Sequence, residues 1–289
     1  MQKERTRAVL LLFATAFFWS LAGLLIKSIP LPALSVAGWR SAIAFFVILG
    51  FAGFRAIRFS WPQVLGSICY ASTVTFFVCA NKMTTSANAI ILQYTAPLYV
   101  ILLSGTLLKE RIYWYDIAAV AGTLVGTSLF FFDKLSPGGL WGNILAILSG
   151  ITFALVILFL RMQKEGSPAG SVVLGNLLTA LMCLPWMIRF TPDWPTLPPL
   201  IILGVFQLGM SYVCYTVAIK RVTAMEGTLI PMLEPILNPL WVLLFLGERP
   251  SAFALIGGGI ILFSILTRTW LSLKYQAKNV LTPLNIKRS

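Results

Sequence analysis

The polar groups of this sequence that could do chemistry stand among prolines in a long apolar run. Glu234 and Asn238 are four residues apart, and the same spacing separates Pro231, Pro235 and Pro239. In a helix this spacing aligns them on one face, and each proline leaves the carbonyl four residues before it without a backbone donor. Inside a membrane such carbonyls need protein, water or ligand partners. We therefore expect a bendable helix in which Glu234 and Asn238 bind a solute or a proton. The alternative is a kinked helix whose acid only pairs with a neighbouring helix.

A second run with a proline carries polar groups at matching positions. Gln93, Tyr94 and Pro97 lie in the fourth apolar run, where Pro97 occupies the place of Pro235 in an internal repeat. Small residues and prolines on one face let helices approach and leave space for a cavity. We expect the two runs to face each other, with Gln93 and Tyr94 as substrate-binding groups. The predicted hinges are Pro97, Pro231, Pro235 and Pro239.

A polar stripe follows in the eighth apolar run, where Gln207, Ser211 and Tyr215 stand at four-residue spacing. Such a stripe either binds neighbouring helices or lines a wet path, and three stacked groups favour the path. Trp19 and Phe153, at corresponding positions of the first and sixth runs, would add aromatic surface, although such residues also face lipid or protein core. An aromatic cavity with few polar groups suits amphipathic organic solutes better than bare ions.

The other charges near the apolar runs have structural interpretations. Arg40 lies several residues inside the second run, and we expect its guanidinium to reach the membrane surface. The alternative places it in the cavity beside a substrate carboxylate. Glu110 and Glu248 stand beside Arg111 and Arg249 at run ends. Local ion pairs or helix capping explain them best, with alternate gating of the two membrane faces left open.

The composition is that of a multi-pass membrane protein. Apolar residues make up 58% and charged residues 11% of the chain, with a mean hydropathy of +0.87, whereas soluble proteins are about a quarter charged. The net charge of +13 then reflects loops rich in Lys and Arg rather than nucleic-acid binding. The chain has no histidine, and its four cysteines form no Cys-x-x-Cys pair. We therefore expect no metal, no cofactor and no disulfide framework.

Ten apolar runs are long enough to cross a membrane as helices, which predicts an all-α integral membrane protein. Lys and Arg concentrate on the side that holds both termini, so we expect cytoplasmic termini and an inner (plasma) membrane location. No cleavable signal peptide is evident. The runs cover approximately residues 8–29, 33–54, 61–81, 86–108, 113–132, 139–160, 169–190, 196–219, 225–246 and 251–273.

The two halves of the chain repeat. Lys-Glu-Arg at 109–111 and Gly-Glu-Arg at 247–249 mark equivalent places, and the same shift relates Lys82 to Lys220. Because each half holds five runs, the second half enters the membrane from the other side. This predicts two inverted five-helix repeats, an arrangement typical of secondary transporters with a substrate site between the halves.

The repeat sets the predicted boundaries at residues 1–136 and 137–273, followed by a basic cytoplasmic tail at 274–289 that is interfacial or disordered. The fifth run has Gly122 and Gly126 and the tenth has Gly257-Gly258-Gly259, small residues of the kind that let helices pack closely. The sequence leaves open whether this contact lies within one chain or in a homodimer.

Two segments resemble the repeated motif of a known family. Gln93-Tyr94-Thr95-Ala96-Pro97 with Leu107-Leu108-Lys109-Glu110-Arg111 resembles the fourth-helix motif of the drug/metabolite transporter superfamily, in particular its ten-helix EamA-type exporters. Glu234-Pro235 with Gly247-Glu248-Arg249 resembles the second copy, and Phe18-Trp19-Ser20 also fits. The resemblance covers nearly the whole chain. It implies alternating access through a central cavity. Similar proteins export amino acids, including aromatic ones, and others move nucleotide sugars, triose phosphates or S-adenosylmethionine.

These observations favour a secondary transporter that exports small metabolites, with amino acids, aromatic ones included, as the favoured solutes. Its partners would be a small-molecule substrate and the lipid bilayer, without nucleic acid. The alternative is a nucleotide-sugar or organic-phosphate exchanger, although it needs several cavity cations and only Arg40 qualifies. An intramembrane enzyme is disfavoured, because one deep carboxylate without histidine is not a catalytic set. The solute, its coupling to protons and the oligomeric state are left open.

Overall fold

The computed structural model describes residues 2–84, 86–130, 139–234, 237 and 252–285. Helices and their connections make up these ranges, and no strand occurs among the residues they contain. This confirms the all-helical class. Four predicted functional residues lie outside the described residues, namely Pro235, Asn238, Pro239 and Glu248.

Thirteen α-helices are labelled here in chain order within the described residues. They are α1 Gln2–Trp19, α2 Ala22–Ser28, α3 Ala33–Ala52, α4 Trp61–Met83, α5 Ser86–Gln93, α6 Ala96–Leu107, α7 Trp114–Phe130, α8 Leu140–Met162, α9 Pro168–Arg189, α10 Leu197–Ile202, α11 Ser211–Ala218, α12 Ala224–Leu229 and α13 Ala252–Asn285. A π-helical segment, Leu203–Met210, joins α10 to α11, and a 3₁₀ turn, Ile230–Leu233, follows α12.

Eight helical segments of the described chain are long and apolar enough to cross a membrane. They coincide with the first four predicted runs and with the sixth, seventh, eighth and tenth. Helix α7, in the fifth run, has 17 residues, and the ninth run is described only in its first part. The multi-pass membrane class is therefore confirmed, while the count of ten and the inversion of the two halves stay predictions.

Several predicted runs are not continuous α-helices. The first breaks at Ser20 and Leu21, between α1 and α2, and the fourth breaks at Tyr94 and Thr95, between α5 and α6. Pro97 stands in the first turn of α6, where a missing N–H removes no helical bond. The eighth run contains the π-helical segment, and the ninth passes into its 3₁₀ turn. Segments of this kind recur at functional sites, and here they surround the centre of the bundle.

Close helix packing depends on small residues. Helix α4 packs on α8 and α9, α3 packs on α9, and α7 packs on α13. A Cβ on Gly126 would lie 2.7 Å from the Gly257 carbonyl oxygen, so the predicted close packing of the fifth and tenth runs occurs within one chain. A Cβ on Gly175 would lie 2.6 Å from Cδ1 of Tyr70, which fixes how closely α9 approaches the buried Tyr70 ring.

One end of the bundle holds a group of buried ion pairs, which we call the ion network: Arg5, Asp116, Glu226 and Arg268. Glu226 pairs with Arg5 and lies 3.2 Å from Nη1 of Arg268, whose Nε donates to Asp116 over 2.8 Å. Glu226 also completes a capping box with Thr223 at the start of α12. The network thus joins α1, α7, α12 and α13.

Glu110 lies at the same end, but its partners differ from the predicted one. Its carboxylate accepts from Arg161 over 2.8 Å and from the backbone N–H of Ala224 over 3.0 Å, so the predicted local pairing with Arg111 is wrong. The prediction missed this because the contact joins residues far apart in sequence. The predicted tail at 274–289 begins inside α13, which remains helical to Asn285.

Candidate functional site

A cavity lies at the centre of the bundle, where the broken helices meet. Its aromatic lining residues are Trp19, Phe77, Tyr94, Phe153 and Tyr212, and its polar ones are Arg40, Thr73, Gln93, Gln207, Thr228 and Glu234. Two of the predicted hinge prolines, Pro97 and Pro231, line it as well. Concave sites with aromatic walls and a few polar groups are typical of small-molecule binding.

The aromatic wall is built around Trp19, the last residue of α1. Its ring centroid lies 5.5 Å from that of Phe153 and 5.4 Å from that of Tyr212. The ring of Tyr215 stacks on it with a centroid separation of 5.6 Å. These separations are typical of favourable aromatic pairs, which hold the Trp19 ring in one orientation. Trp19 and Phe153, which were expected to add aromatic surface, therefore contact each other and line the cavity.

Glu234 is the one carboxylate on the cavity wall among the described residues. It directly follows the 3₁₀ turn that contains Pro231. The hydroxyl of Tyr94, in the break between α5 and α6, donates to Glu234 Oε2 over 3.0 Å. The two helices that were predicted to face each other thus meet through their predicted polar residues. A carboxylate here can bind a proton or an organic cation.

Arg40 corrects a prediction, because it does not reach the membrane surface. Its side chain is 2% exposed and lines the cavity. Nη1 donates to Gln207 Oε1 over 3.3 Å and Nη2 to the Val74 carbonyl over 3.4 Å. Periodicity could not decide whether the Arg40 side chain points to the membrane surface or into the cavity, because both are possible near a helix end. The acceptors that hold it in the cavity belong to other parts of the chain, namely α4 and the π-helical segment.

The amide of Gln93 is held by the facing helix α8. Its Nε2 donates to Ser149 Oγ over 2.7 Å, and Ser149 donates in turn to the Thr73 carbonyl over 3.2 Å. The Thr73 hydroxyl donates to Thr152 Oγ1 over 2.9 Å. The Gln93 side-chain carbonyl keeps its acceptor capacity, so this chain of bonds orients one polar group of the wall.

The predicted stripe of the eighth run divides into two parts. Gln207 lines the cavity, whereas Ser211 and Tyr215 lie behind Trp19. Ser211 Oγ accepts from Nε1 of Trp19 over 3.0 Å, and the Tyr215 hydroxyl donates to the Gly227 carbonyl over 3.1 Å. That carbonyl is the one that Pro231, four residues later, leaves without a backbone donor. Ser211 and Tyr215 therefore contact neighbouring helices, the alternative that was less favoured.

Tyr212 is an aromatic lining residue that the sequence pattern missed. Its ring lies 4.8 Å from that of Tyr70, which accepts from Asn176 Nδ2 over 3.0 Å. In an α-helix Gln207 would share a face with Ser211, but the wider π-helical turn brings residues five apart onto one face. Gln207 and Tyr212 consequently share the cavity side. A search at five-residue spacing could have found the pair.

The described part of the chain contains no group of three or more His, Cys, Asp or Glu side chains that could hold a metal ion. Glu234 stands apart from the acids of the ion network, which are occupied by arginines. Among the described residues, the cavity chemistry therefore consists of one carboxylate, one guanidinium, amides, hydroxyls and aromatic rings. Such a set binds solutes by charge, hydrogen bonds and stacking.

A helical membrane bundle with a polar cavity at its centre defines the class of a membrane transport protein. The model of the EamA-like transporter family matches the chain twice, over residues 6–132 and 140–269. These matches cover most of the sequence, so the chain belongs to the EamA-like transporter family. The resemblance to the drug/metabolite transporter superfamily is confirmed.

Relatives and a solved structure extend over nearly the same length. The chain is 27% identical to the pseudopaline exporter CntI of Pseudomonas aeruginosa (strain UCBPP-PA14), over 88% of this chain and 92% of that protein. It is 27% identical to the threonine/homoserine exporter RhtA of Escherichia coli (strain K12), over 88% of each. A solved crystal structure matches with a TM-score of 0.78 and 23% identity, over 92% of this chain and 98% of that one. At that identity the structural match shows the fold alone.

Proposed function

We propose that this transporter exports small metabolites, amino acids foremost, by alternating access through the central cavity. The observation that carries the proposal is the cavity itself, in which Glu234 and Arg40 line one space with aromatic rings. Carboxylate and guanidinium suit the ammonium and carboxylate groups of an amino acid, and the Trp19 wall suits its side chain. Aromatic amino acids are included among the proposed solutes.

Two relatives support an outward direction of transport, and one of them supports amino acids as the solutes. RhtA is a threonine/homoserine exporter, and CntI is a pseudopaline exporter. At 27% identity their solutes do not carry over to this chain, but both names describe export of small metabolites. We accordingly place the direction of transport outward and the protein in the inner (plasma) membrane.

The proposal of an inverted repeat is supported by the two matches of one family model and by equivalent contacts at opposite ends of the bundle. Lys82 Nζ donates to the Ile29 carbonyl over 2.6 Å, and Lys220 Nζ donates to the Gly166 carbonyl over 2.7 Å. The shift in sequence that takes Lys82 to Lys220 also takes Ile29 to the position next to Gly166, so the two acceptor carbonyls occupy nearly equivalent places in the two halves. Two halves built alike and opposed in direction could rock around a central site.

The ion network would then lie at the cytoplasmic end, because α1 begins there and we propose cytoplasmic termini. Arg5 and Arg268 belong to the positive residues that favour this orientation. Closure of this end by buried ion pairs fits a state in which the cavity is sealed from the cytoplasm. The homodimer stays a proposal without a surface assigned to it.

Uptake into proteoliposomes preloaded with unlabelled solute tests the function. Labelled amino acids are screened, with a nucleotide sugar and a phosphate ester as controls. We expect exchange of at least one amino acid and none of the controls. Exchange of only the phosphate or sugar controls would refute the amino-acid assignment and favour the exchanger of organic phosphates.

An imposed pH gradient then defines the role of Glu234. Exchange driven by the gradient makes Glu234 the proposed proton site, and exchange that ignores the gradient leaves it as a contact for the substrate ammonium. Empty liposomes and liposomes with heat-inactivated protein provide the background. The orientation of the termini is checked by protease access to a tag on either end in sealed cells.

A further inference from the structure

We propose that Arg40 is the carboxylate receptor of the cavity, so that a carboxylate is the feature by which the transporter selects its substrates. The inference rests on the proposed function and narrows its substrate class. It assigns opposite ends of one solute to two residues, with the carboxylate at Arg40 and the ammonium at Glu234. Solutes that lack the carboxylate, such as amides and amines, would be poor substrates.

The hydrogen bonds of Arg40 leave most of its donors for a ligand. A guanidinium has five N–H donors arranged in a plane that matches a carboxylate. Two of them make hydrogen bonds to described protein atoms, and both bonds are long, at 3.3 and 3.4 Å. The buried Nε has no protein acceptor within the described chain. A carboxylate from the cavity would supply the missing acceptors in a bidentate arrangement.

The charge of Arg40 is likewise uncompensated. Within the described ranges no carboxylate lies within ion-pair distance of it, whereas Arg5, Arg161 and Arg268 each have such a partner. A buried charge without a partner is unfavourable unless something in the site compensates it. The ionisable groups that interact with it electrostatically are the phenols of Tyr70 and Tyr212 and the thiol of Cys183, none of which is a carboxylate.

The arrangement of the two cavity charges fits a dipolar solute. Arg40 contacts α4 and the π-helical segment, and Glu234 contacts Tyr94. They do not bond to each other, and both line the cavity that Tyr212 also lines. Opposite charges held apart on one cavity wall would both be compensated by a solute that places its ammonium and carboxylate between them.

A purely structural role would give Arg40 a different function, as a side chain that fixes the π-helical segment through Gln207. The two roles differ in what they predict for ligands in the unaltered protein. A structural arginine is indifferent to the ligand's carboxylate, whereas a receptor discriminates between ligands that differ only in that group. The first experiment therefore changes the ligand and leaves the protein as it is.

Competition in proteoliposomes compares matched probes against the labelled amino acid that exchanges fastest. The probes are that amino acid, its amide, the corresponding primary amine and the corresponding acid without the amino group. We expect the amide and the amine to compete about 10- to 100-fold more weakly than the amino acid, as for loss of a charged hydrogen-bond partner. Equal competition by amino acid, amide and amine would overturn the proposal while leaving amino-acid export standing.

Variants then connect this discrimination to Arg40. Arg40→Gln should raise the KM for the amino acid by about tenfold or more and remove most of its advantage over the amide, and Arg40→Lys should keep part of both. Arg7→Gln removes the same charge from an exposed position of α1 and should change neither. Discrimination that persists in Arg40→Gln would overturn the assignment.

A folding defect, a failure of the proposed function and a failure of the carboxylate assignment give different results. If Arg40→Gln does not fold, Arg40→Lys and the matched probes still test the receptor, because they need no neutral variant. If no amino acid exchanges at all, the proposed function fails first and the carboxylate assignment fails with it. If amino acids and their amides exchange equally, only the carboxylate assignment fails.

Discussion

Buried charges occur in two regions of this molecule, and they are compensated in opposite ways. In the ion network Glu226 lies between Arg5 and Arg268, and Asp116 pairs with Arg268 at 2.8 Å. In the cavity, Arg40 has only neutral acceptors among the described residues, and Glu234 is contacted by the Tyr94 hydroxyl. Apart from Arg5, whose side chain is 17% exposed, the charged residues of both regions are buried, so exposure to water does not account for the difference.

The contrast indicates two uses of charge. Removing one partner from a compensated group strands the other, so the ion network stabilises the arrangement of helices that it joins. An uncompensated buried charge lowers stability, so its presence in a membrane protein indicates a functional role. The cavity charges thus have the energetic character of binding groups, and the network charges that of structural groups. Substitutions in the ion network should consequently lower stability, whereas substitutions of the cavity charges should lower transport.

The largest effect is expected in the ion network. Glu226→Gln leaves Arg5 and Arg268 without a full counter-charge, and the free energy of unfolding should fall by about 3–5 kcal/mol. Thermal unfolding of the purified protein in detergent measures the change.

The matched control for that substitution is Glu4→Gln. Glu4 pairs with Arg221 at 3.7 Å, and both side chains are 58% exposed. An exposed pair contributes about 0–1 kcal/mol, so this variant should unfold close to the wild-type temperature. Equal losses in Glu226→Gln and Glu4→Gln would contradict the structural role of the network.

The opposite pattern is expected for the cavity carboxylate. Glu234→Gln should lower kcat/KM for exchange by about tenfold or more, since it removes a charged partner of the solute or the proton. If Glu234 carries a proton, the response to a pH gradient should disappear as well. Stability should stay the same or rise, because the neutral amide needs no counter-charge.

Glu226→Gln and Glu234→Gln form a direct test, since they make the same chemical change in the two regions. Unfolding temperature and exchange rate are measured on both. A Glu234→Gln protein that loses as much stability as Glu226→Gln, with transport unchanged, would show that Glu234 is structural.

A smaller loss of stability is expected when the hydroxyl of Tyr215, which lies behind Trp19, is removed. Tyr215→Phe removes the donor that serves the Gly227 carbonyl. An unsatisfied buried carbonyl costs about 1–3 kcal/mol, so the unfolding temperature should fall. Exchange should decrease only as far as the folded fraction decreases, which binding of a conformation-sensitive dye checks on the same samples.

The smallest change is expected for Tyr94→Phe, which removes the hydroxyl that donates to Glu234. A hydrogen bond to a charged group contributes about 1.5–3 kcal/mol, but the cavity lets water replace it, so we expect a loss of only a few fold in kcat/KM. Stability should change by less than in Tyr215→Phe. If Tyr94→Phe were the less stable of the two and transported normally, the hydroxyl of Tyr94 would be a structural group.

The sequence predicted much of the candidate site because helical spacing is a local property. Glu234, Gln93 and Tyr94 were placed on facing helices by prolines and polar groups that recur every three or four residues, and Trp19 and Phe153 by an internal repeat. All five line the cavity. The substrate-binding role of these residues is still a prediction, and Asn238 lies outside the described residues.

The predictions that failed depend on departures from local regularity. Ser211 was aligned with Gln207 by α-helical spacing, but the π-helical segment gives that face to Tyr212. Arg40 was expected at the membrane surface, yet Gln207 and the Val74 carbonyl, from two other helices, hold it inside. Glu110 forms its ion pair with Arg161 rather than with Arg111, its neighbour in sequence.

Composition and periodicity by themselves determined an all-helical membrane protein with a carboxylate among prolines at its centre, because a bilayer requires long apolar helices and makes every buried charge conspicuous. The tertiary structure decided which charges are compensated and which face the cavity. Ion pairs such as Arg268 with Asp116 join distant segments whose approach is fixed by packing. Periodicity within one helix contains no information about the neighbour that a side chain will meet.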